Sequence, residues 1–259
     1  KPEIKGKSWV DVMELLGLSL LETLVCLWGV AAGGFLRGFL GFGAALLIVP
    51  VLSLLVTPLE AIAILVLIEL PNIVYLTPRS LNEFSLKTVK PMLLGLLISV
   101  PLGTTVLVLV DPVKMKFLIS LVLLGAIALL ASGWRFKGPV SGMTMLFSGL
   151  VGGGIQGSAG MGGPPLVTTL LSLGDDAKTT RANIIIALNA MSLMNAIMIA
   201  SYGKLTPSLV QFSIIASVFY VAATVFGAKF FRQNGNEHFR KVALGILALI
   251  ALLMIYSIF

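Results

Sequence analysis

Charge is what this sequence has least of. Only 11% of its 259 residues are Asp, Glu, Lys or Arg, and 58% are hydrophobic. A soluble globular domain carries about 25% charged residues, so little soluble domain is to be found here. Histidine and cysteine are nearly absent, at one each. A lone cysteine, Cys26, excludes an intrachain disulfide, and its apolar neighbours make it a packing residue. The lone histidine, His238, lies in the polar stretch RQNGNEHFRK and reads as a solvated loop residue. No metal-ligand cluster and no phosphate-binding P-loop occurs, so neither a metal nor an organic cofactor is expected. The net charge of +7 does not indicate nucleic acid, because the basic residues sit in short loops between apolar runs, where membrane proteins concentrate Lys and Arg on the cytoplasmic side.

What the chain has instead is apolar length. The mean hydropathy is +1.05. Apolar runs recur at 61–75, 92–110, 117–131, 184–200, 212–226 and 242–259, and with their flanks they approach the ~20 residues needed to cross a bilayer. The expected fold is an all-α polytopic membrane protein. The N-terminal KPEIKGKSWVDVMELLG lacks the basic–apolar–small order of a signal peptide and reads as a polar start to a short amphipathic piece at the interface.

One stretch breaks this pattern. GGGIQGSAGMGGPP, residues 152–165, holds seven glycines and two prolines in fourteen positions, and these are the poorest helix formers. A second such stretch, GGFLRGFLGFGAALL, lies at 33–47. An offset of 119 aligns Gly34 with Gly153, Arg37 with Gln156, Gly38 with Gly157, Gly41 with Gly160 and Gly43 with Gly162. Each is followed by a short apolar helix, a polar break and three longer apolar segments. Repeats with glycine-interrupted short helices at matching positions point to a transporter site at the membrane midplane. The segment 143–173 would span roughly 46 Å as one helix, too long for one crossing of a ~30 Å core and too short for two. It fits a re-entrant hairpin, helix in and helix out on one side.

Loop charge extends this to the first break. If both broken elements are hairpins, eleven basic residues fall on one face and six on the other; if both cross once, the split is nine to eight. The positive-inside rule therefore prefers hairpins and places both termini outside the cytoplasm. Each repeat then has three true crossings, so the two are inverted. The N-terminal repeat is 1–134 (hairpin 18–56, spans near 59–78, 88–110 and 114–132). The C-terminal repeat is 135–259 (hairpin 141–173, spans near 177–202, 207–229 and 239–258). TPLE at 57–60, Asp111-Pro112, Asp175 or Asp176, and Thr206-Pro207 supply helix starts.

A helix N-terminus leaves unpaired N–H groups and carries roughly half a positive charge, and an anion is a suitable acceptor. The expected substrate-binding residues are Arg37, Gly38, Gly41 and Gly43 at the first tip and Gln156, Gly157, Ser158, Gly160 and Gly162 at the second. Pro164 and Pro165 at the first helical turn remove only N–H groups that the helix leaves unpaired. Close helix packing is the competing role for any of these glycines. Arg37, inside an apolar element, is a functional candidate by position. Three roles are open to Glu69: partner of Arg37, carrier of a coupling proton, or assembly. Asn72 lies one turn on. Asn189, Ser192 and Asn195 share a broad helix face, and either line a polar path or bond between helices; Asn72, Asn189 and Asn195 complete the candidate set.

Taken as a pair, GGFLRGFLGFGAALLIVP and GGGIQGSAGMGGPPLVTTLL resemble the TauE/SafE sulfite exporter family, the toluene sulfonate uptake permease group, over nearly the whole chain. The resemblance implies secondary transport of small sulfur-containing anions, sulfite or organosulfonates, with export the expected direction, in a bacterial inner membrane. An anion channel is the alternative mechanism. An intramembrane hydrolase is the alternative class, since GSAG around Ser158 resembles intramembrane serine proteases, but His238 in a loop leaves that serine without a histidine in the membrane. The expected partners are the anion, the lipid bilayer and a coupling proton or ion. The sequence leaves oligomeric state open.

Overall fold

The computed structural model describes residues 17–40, 42–134, 136 and 140–234, together with 249, 252 and 256. The amphipathic N-terminal piece, Gly41, His238 and most of the span expected at 239–258 lie outside the described residues. Among the described residues there are nine helices and no strand: α1 (Leu20–Leu40), α2 (Ala44–Ser53), α3 (Pro58–Ser80), α4 (Leu86–Leu109), α5 (Pro112–Ser132), α6 (Gly142–Ala159), α7 (Gly163–Leu171), α8 (Ala177–Ser201) and α9 (Pro207–Asn234). Six of them, α1, α3, α4, α5, α8 and α9, are long and apolar enough to cross a membrane.

Local chemistry sets the helix starts. Thr57 accepts from the Glu60 N–H while the Glu60 carboxylate accepts from the Thr57 N–H, a capping box with Pro58 in the first turn. Asp111 accepts from the N–H groups of Val113 and Lys114 ahead of Pro112 in α5. Asp176, not Asp175, caps α8, accepting from Lys178 and Thr179; the Thr179 hydroxyl, together with those N–H groups, holds its carboxyl below the usual range. Each cap satisfies orphan donors that would otherwise face the membrane boundary.

Both glycine-rich stretches fold as helix, break and helix, with the second arm laid back on the first. A Cβ at Gly29 would meet the Val51 side chain, and one at Gly33 would meet Ile48, so α2 runs antiparallel to α1. In the second stretch Ser148 Oγ donates to the Pro165 carbonyl at 3.2 Å, and the Phe136 N–H reaches Ser172 Oγ at 3.1 Å. The end of α7 thus returns to the side from which α6 starts.

The closest packing is between arms and spans far apart in sequence. A Cβ at Gly34 would strike the Tyr220 carbonyl oxygen, and one at Gly38 the Thr224 carbonyl oxygen. The partner index rises with the glycine index, so α1 and α9 run parallel. On α4 and α6, Gly95 meets the backbone at Leu146 and Gly149, and Gly103 meets it at Gly154 and Gly157, again parallel. Glycine permits this backbone-to-backbone approach, which membrane helices use to gain dispersion energy that lipid tails cannot replace. The first arm of each broken stretch is therefore seated on the second long helix that follows the other broken stretch.

Candidate functional site

α1 ends with Arg37 in its last turn. After Leu40 the chain turns through Gly43, at φ +93, into the N-terminus of α2. α6 ends at Ala159, turns through Gly160 at φ +70, and α7 starts at Gly163. Both turns need left-handed backbone, which glycine adopts without the Cβ clash. The positive-φ pair is thus Gly43 and Gly160, not the pair Gly43 and Gly162 that the 119-residue offset aligns.

The two tips close on one partly open cavity, whose wall includes Arg37, Gly43, Ala44, Glu69, Gln156, Gly160 and Gly163, with Leu188, Met191 and Ser192 of α8. Arg37 Nη1 donates to Glu69 Oε1 at 2.8 Å. Ser192 Oγ donates to Glu69 Oε2 at 2.6 Å, and Tyr220 OH reaches Glu69 Oε1 at 3.4 Å. Helices α1, α3, α8 and α9 therefore meet at one carboxylate. Glu69 is 5% exposed and Tyr220 fully buried; the Arg37–Glu69 pair is tolerated in an apolar setting because each charge is met by the other, and Glu69 also by hydrogen bonds. The guanidinium has five N–H donors, and one serves Glu69.

The tips differ in what they offer. The first turn of α2 carries main-chain N–H groups on Gly43, Ala44 and Ala45, all on the cavity wall. At α7 the Gly162 N–H is already bonded to Gln156 Oε1 at 3.1 Å, and Pro164 and Pro165 have none. Gly163 is left as the N–H donor of that turn. The prolines thus take away groups that an anion would use, a cost that the helix-capping argument alone overlooks.

Several expected residues stand elsewhere. Gly38 and Gly157 face the backbones of α9 and α4, and their hydrogens are needed for that approach. A Cβ at Gly162 would strike the Gly152 carbonyl oxygen. Ser158 Oγ donates within α6 to the Gly154 carbonyl at 2.8 Å. Asn189 Nδ2 donates to Thr77 Oγ1 at 3.0 Å, and Asn195 Nδ2 donates to the Gln156 carbonyl at 2.9 Å; both bond between helices. The Asn72 amide nitrogen is buried without a partner among the described residues. None of these seven lines the cavity. Tyr220, off the cavity wall, is the polar partner of Glu69 that the sequence reading missed. Its signal was faint: one phenol inside the apolar run VFYVAA, where buried tyrosines keep a polar partner.

Six apolar helices of spanning length define an integral membrane protein, and its two helix breaks share one partly open cavity with the Arg37–Glu69 pair on its wall. The chain belongs to the sulfite exporter TauE/SafE family, whose family model matches residues 25–254. It is also 28% identical over 244 residues to the probable sulfite/organosulfonate exporter TauE of Cupriavidus necator, with 91% of each chain covered. No solved structure matches the chain significantly. The family is one of transporters, so the protein is a membrane transporter and not an enzyme.

Proposed function

We propose that this protein exports a small sulfur-containing oxyanion, sulfite or an organosulfonate, across a bacterial inner membrane, and that the anion binds between the N-termini of α2 and α7 beside Arg37 and Gln156. The observation that carries the reading is that two broken tips, 119 residues apart in a repeating sequence, share one cavity with an arginine, its side chain 13% exposed, on its wall. Two helix N-termini supply converging positive ends, and Arg37 supplies charge-assisted donors, about twice as strong as neutral ones. Glu69 is the candidate coupling group, because Arg37, Ser192 and Tyr220 all converge on its carboxylate. The parallel seating of α1 on α9 and of α6 on α4 supports two inverted repeats, each with a re-entrant hairpin, around this site.

The test is binding of sulfite, methanesulfonate, thiosulfate, sulfate and acetate to the purified protein, repeated on variants at the ion pair. Arg37→Ala alone strands a buried carboxylate, so the decisive variant is Arg37→Gln with Glu69→Gln, which leaves no unpaired charge. Its affinity for the preferred sulfur anion should fall at least tenfold, the order expected for losing a hydrogen bond to a charged group. A folded double variant of unchanged affinity would make Arg37 structural and put the anion elsewhere.

A further inference from the structure

Gln156 has both ends of its side-chain amide assigned. The Gly162 N–H donates to Gln156 Oε1. An N–H cannot donate to an amide nitrogen that carries two hydrogens, so the oxygen faces Gly162 and the nitrogen faces away. That nitrogen has no hydrogen-bond partner among the described residues, and it is not among the sealed, orphaned atoms of the interior. The residue is 2% exposed and lines the cavity. The turn is also fixed from behind. Asn195 Nδ2 holds the Gln156 main-chain carbonyl, and Thr104 Oγ1 donates to Asn195 Oδ1 at 3.0 Å. Gly162 is wedged against the Gly152 carbonyl. The amide therefore cannot flip without breaking its bond to Gly162.

We propose that Gln156 is a specificity-determining residue that reads the protonation of the anion: with its oxygen turned to Gly162 it meets the anion through its N–H donors, and so selects an oxyanion whose oxygens are all acceptors over one of the same shape and charge that carries an acid O–H. The inference rests on the cavity being the anion site. Arg37 and the first turn of α2 present donors as well. Of the side-chain acceptors on the wall, Glu69 already accepts from Arg37, Ser192 and Tyr220. An acid hydroxyl would have to turn from Gln156 toward the lone pairs of Ser192 on α8. A sulfonate oxygen meets the amide directly; a protonated phosphonate oxygen sets hydrogen against hydrogen.

Methanesulfonate and the methylphosphonate monoanion test this, being alike in shape and charge and different by one proton. Phosphate-type groups hold their second proton up to about pH 6, so the comparison is made by calorimetry on the full-length protein at about pH 5. Methanesulfonate should bind about tenfold tighter, the order of effect of one misplaced buried donor. In Gln156→Met, which keeps the length and removes the donors, the ratio should fall to about twofold or less. Should that variant fail to fold, the wild-type protein alone still decides. Raising the pH to about 8 strips the phosphonate proton, and the preference for methanesulfonate should then shrink. Equal affinities at the lower pH, a ratio unmoved by pH, or a full ratio in folded Gln156→Met would each overturn the proposal. If neither anion binds, or if both bind and the neutralised Arg37/Glu69 pair changes nothing, the cavity reading itself fails and this inference falls with it.

Discussion

Arg37 and Glu69 meet at 2.8 Å in a place where neither would persist alone, and the glycine turn just beyond Arg37 decides where the α2 N-terminus points. Gly43 sits at φ +93, and a Cβ there meets nothing nearer than Leu46 Cδ1 at 3.8 Å. Gly43→Ala therefore adds backbone strain of roughly 1–2 kcal/mol without a clash. The strain is relieved by turning the tip, so anion affinity should fall by more than fivefold while the melting temperature drops only a few degrees (about 1 kcal/mol shifts it by roughly 2–4 °C in a chain of this size). Wild-type affinity in this variant would separate the tip from the anion. At this scale the sequence was legible wherever a polar residue interrupts an apolar run without a competing explanation, as at Arg37 and Glu69. Gln156 was legible through its alignment with Arg37. The asparagines were not, because a buried amide that bonds between helices and one that lines a path leave the same trace in the sequence. Only the neighbour in space, Thr77 for Asn189 and the Gln156 carbonyl for Asn195, tells them apart.

Among whole elements the same ambiguity falls on glycine. The run at Gly152, Gly153 and Gly154 is uniform in sequence and divided in space. A Cβ at Gly153 would strike Ser99 Oγ, and one at Gly149, a turn earlier, the Met92 carbonyl oxygen, whereas one at Gly154 meets nothing within 4 Å. Gly154→Ala should keep or raise thermal stability, since alanine suits a helix interior better by roughly 0.5–1 kcal/mol. Gly149→Ala and Gly153→Ala should lower the melting temperature and the folded yield. Equal losses in all three would mean that α4 and α6 are not packed as described. The all-helical, membrane-spanning character was readable from composition, and the starts of α3 and α5 from their cap-and-proline signatures. Which long helix each broken arm leans on was not readable. Parallel packing between segments more than a hundred residues apart for α1 and α9 depends on glycine faces matching in three dimensions, and periodicity carries no record of that.

For the molecule as a whole, the distribution of Lys and Arg implies an orientation that side-specific labelling can check. Cysteines placed one at a time at 110–116, the turn into α5 and its first residues, and in the 203–206 loop should react with a membrane-impermeant maleimide from outside the cell. Those placed in the 81–85 loop should react only after the membrane is opened. The native Cys26 is fully buried and should contribute little background. Labelling at 110–116 only from the cytoplasmic side would reverse the map and make both termini cytoplasmic.

The seating of α1 on α9 also sets a schedule for synthesis. Of the six helices long and apolar enough to span, α1 has the lowest hydropathy, 1.4, and it carries Arg37 as well as the glycines at 33, 34 and 38. The surface that covers Gly34 and Gly38 belongs to residues 220–228 of α9. A ribosome adding roughly 5–20 residues per second emits α1 and then needs on the order of ten to forty seconds to reach its partner. Through that interval the nascent chain holds a weakly hydrophobic helix with a bare glycine face and an arginine whose carboxylate, on α3, arrives sooner. Chains arrested before α9 should therefore be recognised by membrane quality-control proteases, while α4 and α6, made within a few seconds of each other, close their own seam early.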